Sequence, residues 1–190
     1  PVGFAKNGSN GNCAFADGLE AMPKLCKKTL AQVNTYSLAN MCALSSGVYF
    51  LGRDIDYAVA LEGSLKLKEV SYIHSEGYPA GELKHGTLAL IDENAVAVAL
   101  IFDETLAGKT VCAVEQVLSR GGKAAVITNV ESVKKALSGR ALVLETCACG
   151  KFLSPLVSAI AVQKLAYETA VILGRDPDKP RNLAKSVTVE

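Results

Sequence analysis

Apolar residues in this chain fall into short unbroken runs, separated by longer stretches in which they recur every three or four positions. Four of the runs have the length of strands: 47–51 (GVYFL), 95–102 (AVAVALIF), 123–128 (KAAVIT) and 141–145 (ALVLE). Runs without polar alternation are the mark of strands buried on both faces. Between them the spacing predicts helices over about 55–74, 104–120 and 132–137. A final helix is expected over 153–173, ending at Gly174, a residue suited to a left-handed cap. One or two helices are expected ahead of the sheet, over 19–44, where Leu25, Leu30, Val33 and Leu38 can share parts of an apolar face. Strands alternating with helices imply an α/β fold, a parallel sheet flanked by crossover helices. The run Lys6-Asn7-Gly8-Ser9-Asn10-Gly11-Asn12 packs poorly, so 1–18 reads as a leader or domain boundary, 19–175 as one domain and 176–190 as a carboxyl-terminal tail.

Composition narrows the classes. A chain of 190 residues suits a single core, and its net charge of +1 with no basic cluster among aromatics gives no footprint for nucleic acid. Runs such as 95–102 are far short of the roughly 20 apolar residues that cross a bilayer, so no membrane segment is expected. No basic-then-apolar start suggests secretion, which points to the cytoplasm. The cysteines at 13, 26, 42, 112, 147 and 149 are expected to be reduced; Cys147 and Cys149 lack a second pair or a nearby histidine, so neither a metal nor a cofactor is expected.

Chemistry concentrates in two places. On a helix over 55–74, Glu62, Lys66 and Glu69 share one face, two carboxylates flanking an ammonium. On an anonymous helix that is a solvated stripe; in a site, a carboxylate so placed can move a proton between adjacent carbons, and Glu69 is the candidate base. Of the two histidines, His74 reads as structural. His85 lies between Gly81 and Gly86, which free the backbone to approach a ligand. In the tail, Leu183, Ala184, Val187 and Val189 surround Lys185 and could dock it, where desolvation frees an amine to attack a carbonyl. The loops expected after the first two strands, Gly52-Arg53-Asp54 and Asp103-Glu104-Thr105, carry acids and no run of Ser, Thr and Gly, so they read as a weak place for an anion.

The segments LGRDIDYAVALEG, ALEGSLKLKE, SYIHSEGYPAGELKHGTLALID and PRNLAKSVTVE closely resemble the second sugar-isomerase (SIS) domain of the glutamine:fructose-6-phosphate aminotransferases, the glucosamine-6-phosphate synthases. The resemblance runs in order from about Tyr49 to the end and implies a three-layer SIS fold. It implies a Schiff-base lysine at Lys185, a carboxylate base for transfer between C1 and C2 at Glu69, and a ring-opening histidine at His85 given to the neighbouring subunit of a homodimer. Glu62, Lys66 and the backbone at Ala184 would contact the sugar phosphate, fructose-6-phosphate or its product glucosamine-6-phosphate. Nothing in the sequence corresponds to the family's glutaminase domain or to its first SIS domain, whose loop grips the phosphate. The expectation is therefore a domain or fragment, weak or inactive alone. The alternatives are a binding module without turnover, or an SIS-fold isomerase or deglycase for another phosphosugar.

Overall fold

The computed structural model describes residues 9–183, with side chains from 16 onward. Helix α1 spans Ser9–Gln32 and α2 spans Tyr36–Ala43. They are followed by β1 Gly47–Gly52, α3 Ile55–Ser71, β2 Ser75–Pro79, β3 Ala95–Ile101 and α4 Glu104–Leu118. Then come β4 Lys123–Thr128, α5 Glu131–Leu137, β5 Leu142–Glu145 and α6 Ser154–Ile172, with short 3-10 turns at Leu83–His85, Thr87–Leu90 and Lys151–Leu153. Much of the segment expected to be a loose leader is thus the first half of α1, with Pro23 accommodated inside the helix.

All strand pairs are parallel and the order is β2-β1-β3-β4-β5. The chain steps from β1 outward to β2, then crosses back to β3 on the other side of β1, which makes β1/β3 the switch point of the sheet. Alternation along the strands divides the core. Val48, Phe50, Val96, Val98, Leu100, Ala125 and Ile127 face α1, α2, α3 and α6, whereas Tyr49, Leu51, Ala95, Ala97, Ala99, Ala124 and Val126 face α4 and α5. In β3 the valines thus point to one side and the alanines to the other, where the small side chains let α4 lie close. Helices α3 and α6 pack directly on each other. Gly63 makes that possible: a Cβ there would stand 2.8 Å from the Phe50 ring and 3.2 Å from Val162.

One strand was not expected. The segment 75–79 reads SEGYP, with Glu and Gly inside and Pro at its end, and it pairs on one side only, with β1. An edge strand needs neither an unbroken apolar run nor every N–H, which is why Pro is tolerated there. Buried Ser75 ties it to α3, its hydroxyl donating to the Ser64 carbonyl at 2.8 Å. Helix α3 accordingly ends at Ser71, not His74. Gly174 takes φ +65°, the left-handed conformation expected after the last helix, and Arg175 N–H closes that end on the Ala170 carbonyl at 2.8 Å.

Candidate functional site

Near its carboxyl end α3 presents Glu62, Lys66 and Glu69 on one half-buried face. Lys66 Nζ donates to Glu69 Oε2 at 2.6 Å, whereas Glu62, a turn earlier, acts on Lys66 only through its charge. The hydrogen bond to Glu69 leads in holding the Lys66 ammonium above its ordinary value, against a smaller opposing effect of burial. An ion pair this open is worth at most about 1 kcal/mol to stability, so its consequence is orientation: it fixes where the Glu69 carboxylate points.

The helix then stops on Tyr72, a non-glycine residue at φ +66° whose N–H bonds the Lys68 carbonyl at 3.1 Å. Its ring is the docking point for the tail. The Arg181 guanidinium lies 4.3 Å above the ring centroid and that of Arg175 5.4 Å from it, while Arg181 N–H donates to the Tyr72 hydroxyl at 2.9 Å. Glu69, Tyr72, Leu65 and Lys68 of α3, with Arg181, Asn182 and Leu183 of the tail, line one groove of about 330 Å³. The chain therefore brings the candidate base and the approach to the candidate lysine to one place. Lys185 and Ala184 themselves lie outside the described residues. Of the expected apolar anchors of the tail, Leu183 remains 53% exposed, and Ala184, Val187 and Val189 lie outside the described residues. The residues missed by the sequence reading are Tyr72, Arg175 and Arg181; the available signal was an aromatic at a helix end and two arginines, one just past the last helix and one in the tail.

His85 goes elsewhere. It ends the 3-10 turn Leu83–His85, exposed, before Gly86 at φ +147°. Helix α3 runs back from the carboxyl end of β1, so Glu69 lies toward the end of the sheet where β2 begins, whereas His85 follows the end where β2 finishes. Five strand residues, roughly 15 Å, separate those levels. Within one chain the fold does not bring His85 to Glu69. His74 pairs with Glu76 at 2.9 Å on the edge strand.

At the switch point one internal lysine bridges the two acidic loops. Lys151 Nζ sits 2.8 Å from Asp54 and 2.7 Å from Asp103. The hydrogen bond from Lys151, then those from the Thr105 hydroxyl and N–H, hold the Asp103 carboxyl down at about 2. Asp54 occupies φ +53°, ψ −126°, strained for any residue with a Cβ, and its bond to Lys151 helps keep it there. Beneath them Asp56 is 4% exposed and accepts the Phe102 N–H at 2.9 Å, tying α3 to the end of β3. Burial pushes its carboxyl up to about 6 from an ordinary 3.8; the Phe102 bond and Lys151 pull the other way, while Asp103 and Asp54 add to the rise.

That shift has a stability consequence. Between pH 4 and 6 the folded chain keeps the Asp56 proton that the unfolded chain has released, so stability falls as pH rises through this window and levels off above it. Urea unfolding should show Asp56→Asn gaining roughly 2 kcal/mol on the wild type from pH 4 to 6, with a slope that approaches about 1.4 kcal/mol per pH unit in the middle of the window. A difference that stays flat over the window would remove the buried carboxyl from the account.

The chain belongs to the SIS domain family, whose model matches residues 44–173. Among curated relatives it is similar to the glutamine–fructose-6-phosphate aminotransferase (isomerizing) of Bradyrhizobium diazoefficiens, 45% identical over 174 residues, which is 91% of this chain and 29% of that protein. The corresponding aminotransferase of Neisseria meningitidis is 50% identical over 152 residues, 80% of this chain and 25% of that one. The chain thus spans less than a third of these relatives. Among solved structures, the C-terminal domain of glucosamine-fructose-6-phosphate aminotransferase from Francisella tularensis superposes with a TM-score of 0.79 at 36% identity, covering 87% of this chain and 46% of that one.

Proposed function

We propose that this chain is the carboxyl-terminal sugar-isomerase part of a cytoplasmic aminotransferase that makes glucosamine-6-phosphate from fructose-6-phosphate and glutamine-derived ammonia. The observation that carries the reading is the groove in which Glu69 meets tail residues 181–183, because Lys185 follows two residues later and an extended chain covers about 3.5 Å per residue. In this reading the Lys185 amine adds to the carbonyl of the open-chain sugar, forming a Schiff base and releasing water. Glu69, aimed by Lys66, carries the proton between C1 and C2, and Glu62 and the Ala184 backbone help hold the sugar phosphate. His85 opens the sugar ring. Its position beyond the far end of β2 supports delivery to the Glu69 groove of a second copy, hence a homodimer. Amine–carbonyl chemistry of this kind calls for no metal or cofactor.

The test joins this chain to the amino-terminal remainder of the Neisseria meningitidis aminotransferase and measures glucosamine-6-phosphate. Lys185→Arg is expected to abolish product, and Glu69→Gln to lower turnover about 10²–10⁴-fold; near-normal output from Lys185→Arg would sink the assignment. A second reading, a sugar-phosphate-binding module without turnover, draws on the lack of a Ser-, Thr- and Gly-rich phosphate loop after β1 or β3, where the sequence has Gly52-Arg53-Asp54 and Asp103-Glu104-Thr105. The isolated chain, given fructose-6-phosphate and ammonia, is expected to form little product, whereas restored turnover in the joined protein separates the two readings.

A further inference from the structure

The loop Gly52-Arg53-Asp54 reads as hostile to anions, but its two charged residues part company in the fold. Asp54 turns to Lys151, which also takes Asp103, so these two carboxylates share an internal cation. Arg53 turns the other way and lies against the backbone of Gly81, where a Cβ would stand 3.0 Å from Nη2 and 3.2 Å from Nη1. Its side chain makes no hydrogen bond or ion pair among the described residues, and its Nε is enclosed without an acceptor.

Arg53 does not stand alone there. With Lys84 of the 3-10 turn and Lys109 of α4 it lines an open cleft of about 360 Å³, walled further by Gly81, Gly108 and Cys112 and by no acidic side chain. Neither lysine has an ion-pair partner among the described residues. Three cations converge on one cavity at the carboxyl edge of the sheet, the edge at which open α/β sheets take their ligands. The cleft shares no residue with the Glu69 groove. Cations clustered without counter-ions repel one another, and a guanidinium fork matches two oxygens of a phosphate.

We propose that this cleft binds a dianionic phosphate group, free or as a monoester, with Arg53 as the fixed fork and Lys84 and Lys109 closing on it from two sides. The proposal stands independently of the catalytic reading above, since none of its residues is used there. Its size admits more than a bare ion, as ligand pockets begin at about 300 Å³.

The experiment titrates the chain with inorganic phosphate, and separately with glucose 6-phosphate, at constant ionic strength set by chloride, following the arginine Nε–H and backbone amide resonances by NMR. Saturable shifts at Gly81, Lys84, Gly108 and Lys109 are expected at millimolar concentration or below. Tighter binding of glucose 6-phosphate assigns the site to an ester, and equal binding to the free ion. Arg53→Gln should weaken binding at least tenfold and Lys109→Gln, an exposed change that leaves the fold intact, severalfold, while Lys135→Gln on α5 removes the same charge without effect. Shifts that never saturate, or a loss as large from Lys135→Gln as from Lys109→Gln, would reduce the cleft to general surface charge and overturn the proposal.

Discussion

Alanine at position 52 is expected to cost about 3 kcal/mol or more, because the added methyl meets the backbone of the Asp56–Tyr57 peptide. Its Cβ would lie 2.4 Å from the Asp56 carbonyl oxygen, 2.5 Å from its carbon and 2.6 Å from the Tyr57 nitrogen. A flexible side chain could swing away; the first turn of α3 cannot. That turn is fixed by the two-residue link from β1, by strained Asp54 and by the Asp56 bond to Phe102, so moving it disturbs the whole switch point. Gly108→Ala supplies the contrast. Its Cβ would enter open space on an exposed helical face, and alanine there should be neutral or stabilising by up to about 1 kcal/mol. Urea midpoints at pH 7 compare the two, and a Gly52→Ala protein within 1 kcal/mol of wild type would mean that α3 is far less rigidly seated than its contacts require.

Tyr72→Gly should release the tail while leaving the domain folded. Glycine at φ +66° relieves a left-handed strain of about 1–2 kcal/mol. It also removes two cation–ring contacts worth roughly 0.5–1 kcal/mol each and a hydrogen bond of about 1 kcal/mol. These nearly cancel for global stability but fall on different parts of the molecule: the relief goes to the end of α3, the loss to the tail. Trypsin should then cut after Arg181 at least about tenfold faster than in the wild type, since opening a segment that has lost over 1.4 kcal/mol is at least tenfold more frequent. Lys179 precedes Pro180, so it offers no competing cut. Tyr72→Phe keeps the ring and should fall between. If the rate after Arg181 is unchanged in Tyr72→Gly with melting unaltered, the ring does not hold the tail.

The sequence reading succeeded where one residue type carries one meaning. The run AVAVALI is apolar without polar alternation, as a strand buried on both faces requires, and the long stretches that form α3 and α6 hold no proline in their interiors. It failed at β2, where the edge position removes the need for the apolar signal. It placed Glu62, Lys66 and Glu69 on one face because helix spacing dictates that. It could not place the Lys151 contacts to Asp54 and Asp103 or the Arg181 contact to Tyr72, which join residues far apart in the chain through charge, stacking and a hydrogen bond. The loop after β1 shows this most clearly: Arg53 and Asp54 are adjacent in sequence yet meet different partners, Arg53 the backbone of Gly81 and Asp54 the ammonium of Lys151, a division that a count of the loop's charges does not contain.

If the proposed roles of His85 and Glu69 hold, their separation along β2 has a genetic consequence. Under the proposed reading, each working centre borrows across a pair of chains, so two inactive versions of this protein need not make an inactive mixture. A chain lacking His85 and a chain lacking Glu69 would, on pairing, rebuild one intact centre between them. A cell carrying both lesions on separate gene copies would keep part of its output, while a cell carrying both on the same copy would rely wholly on the other.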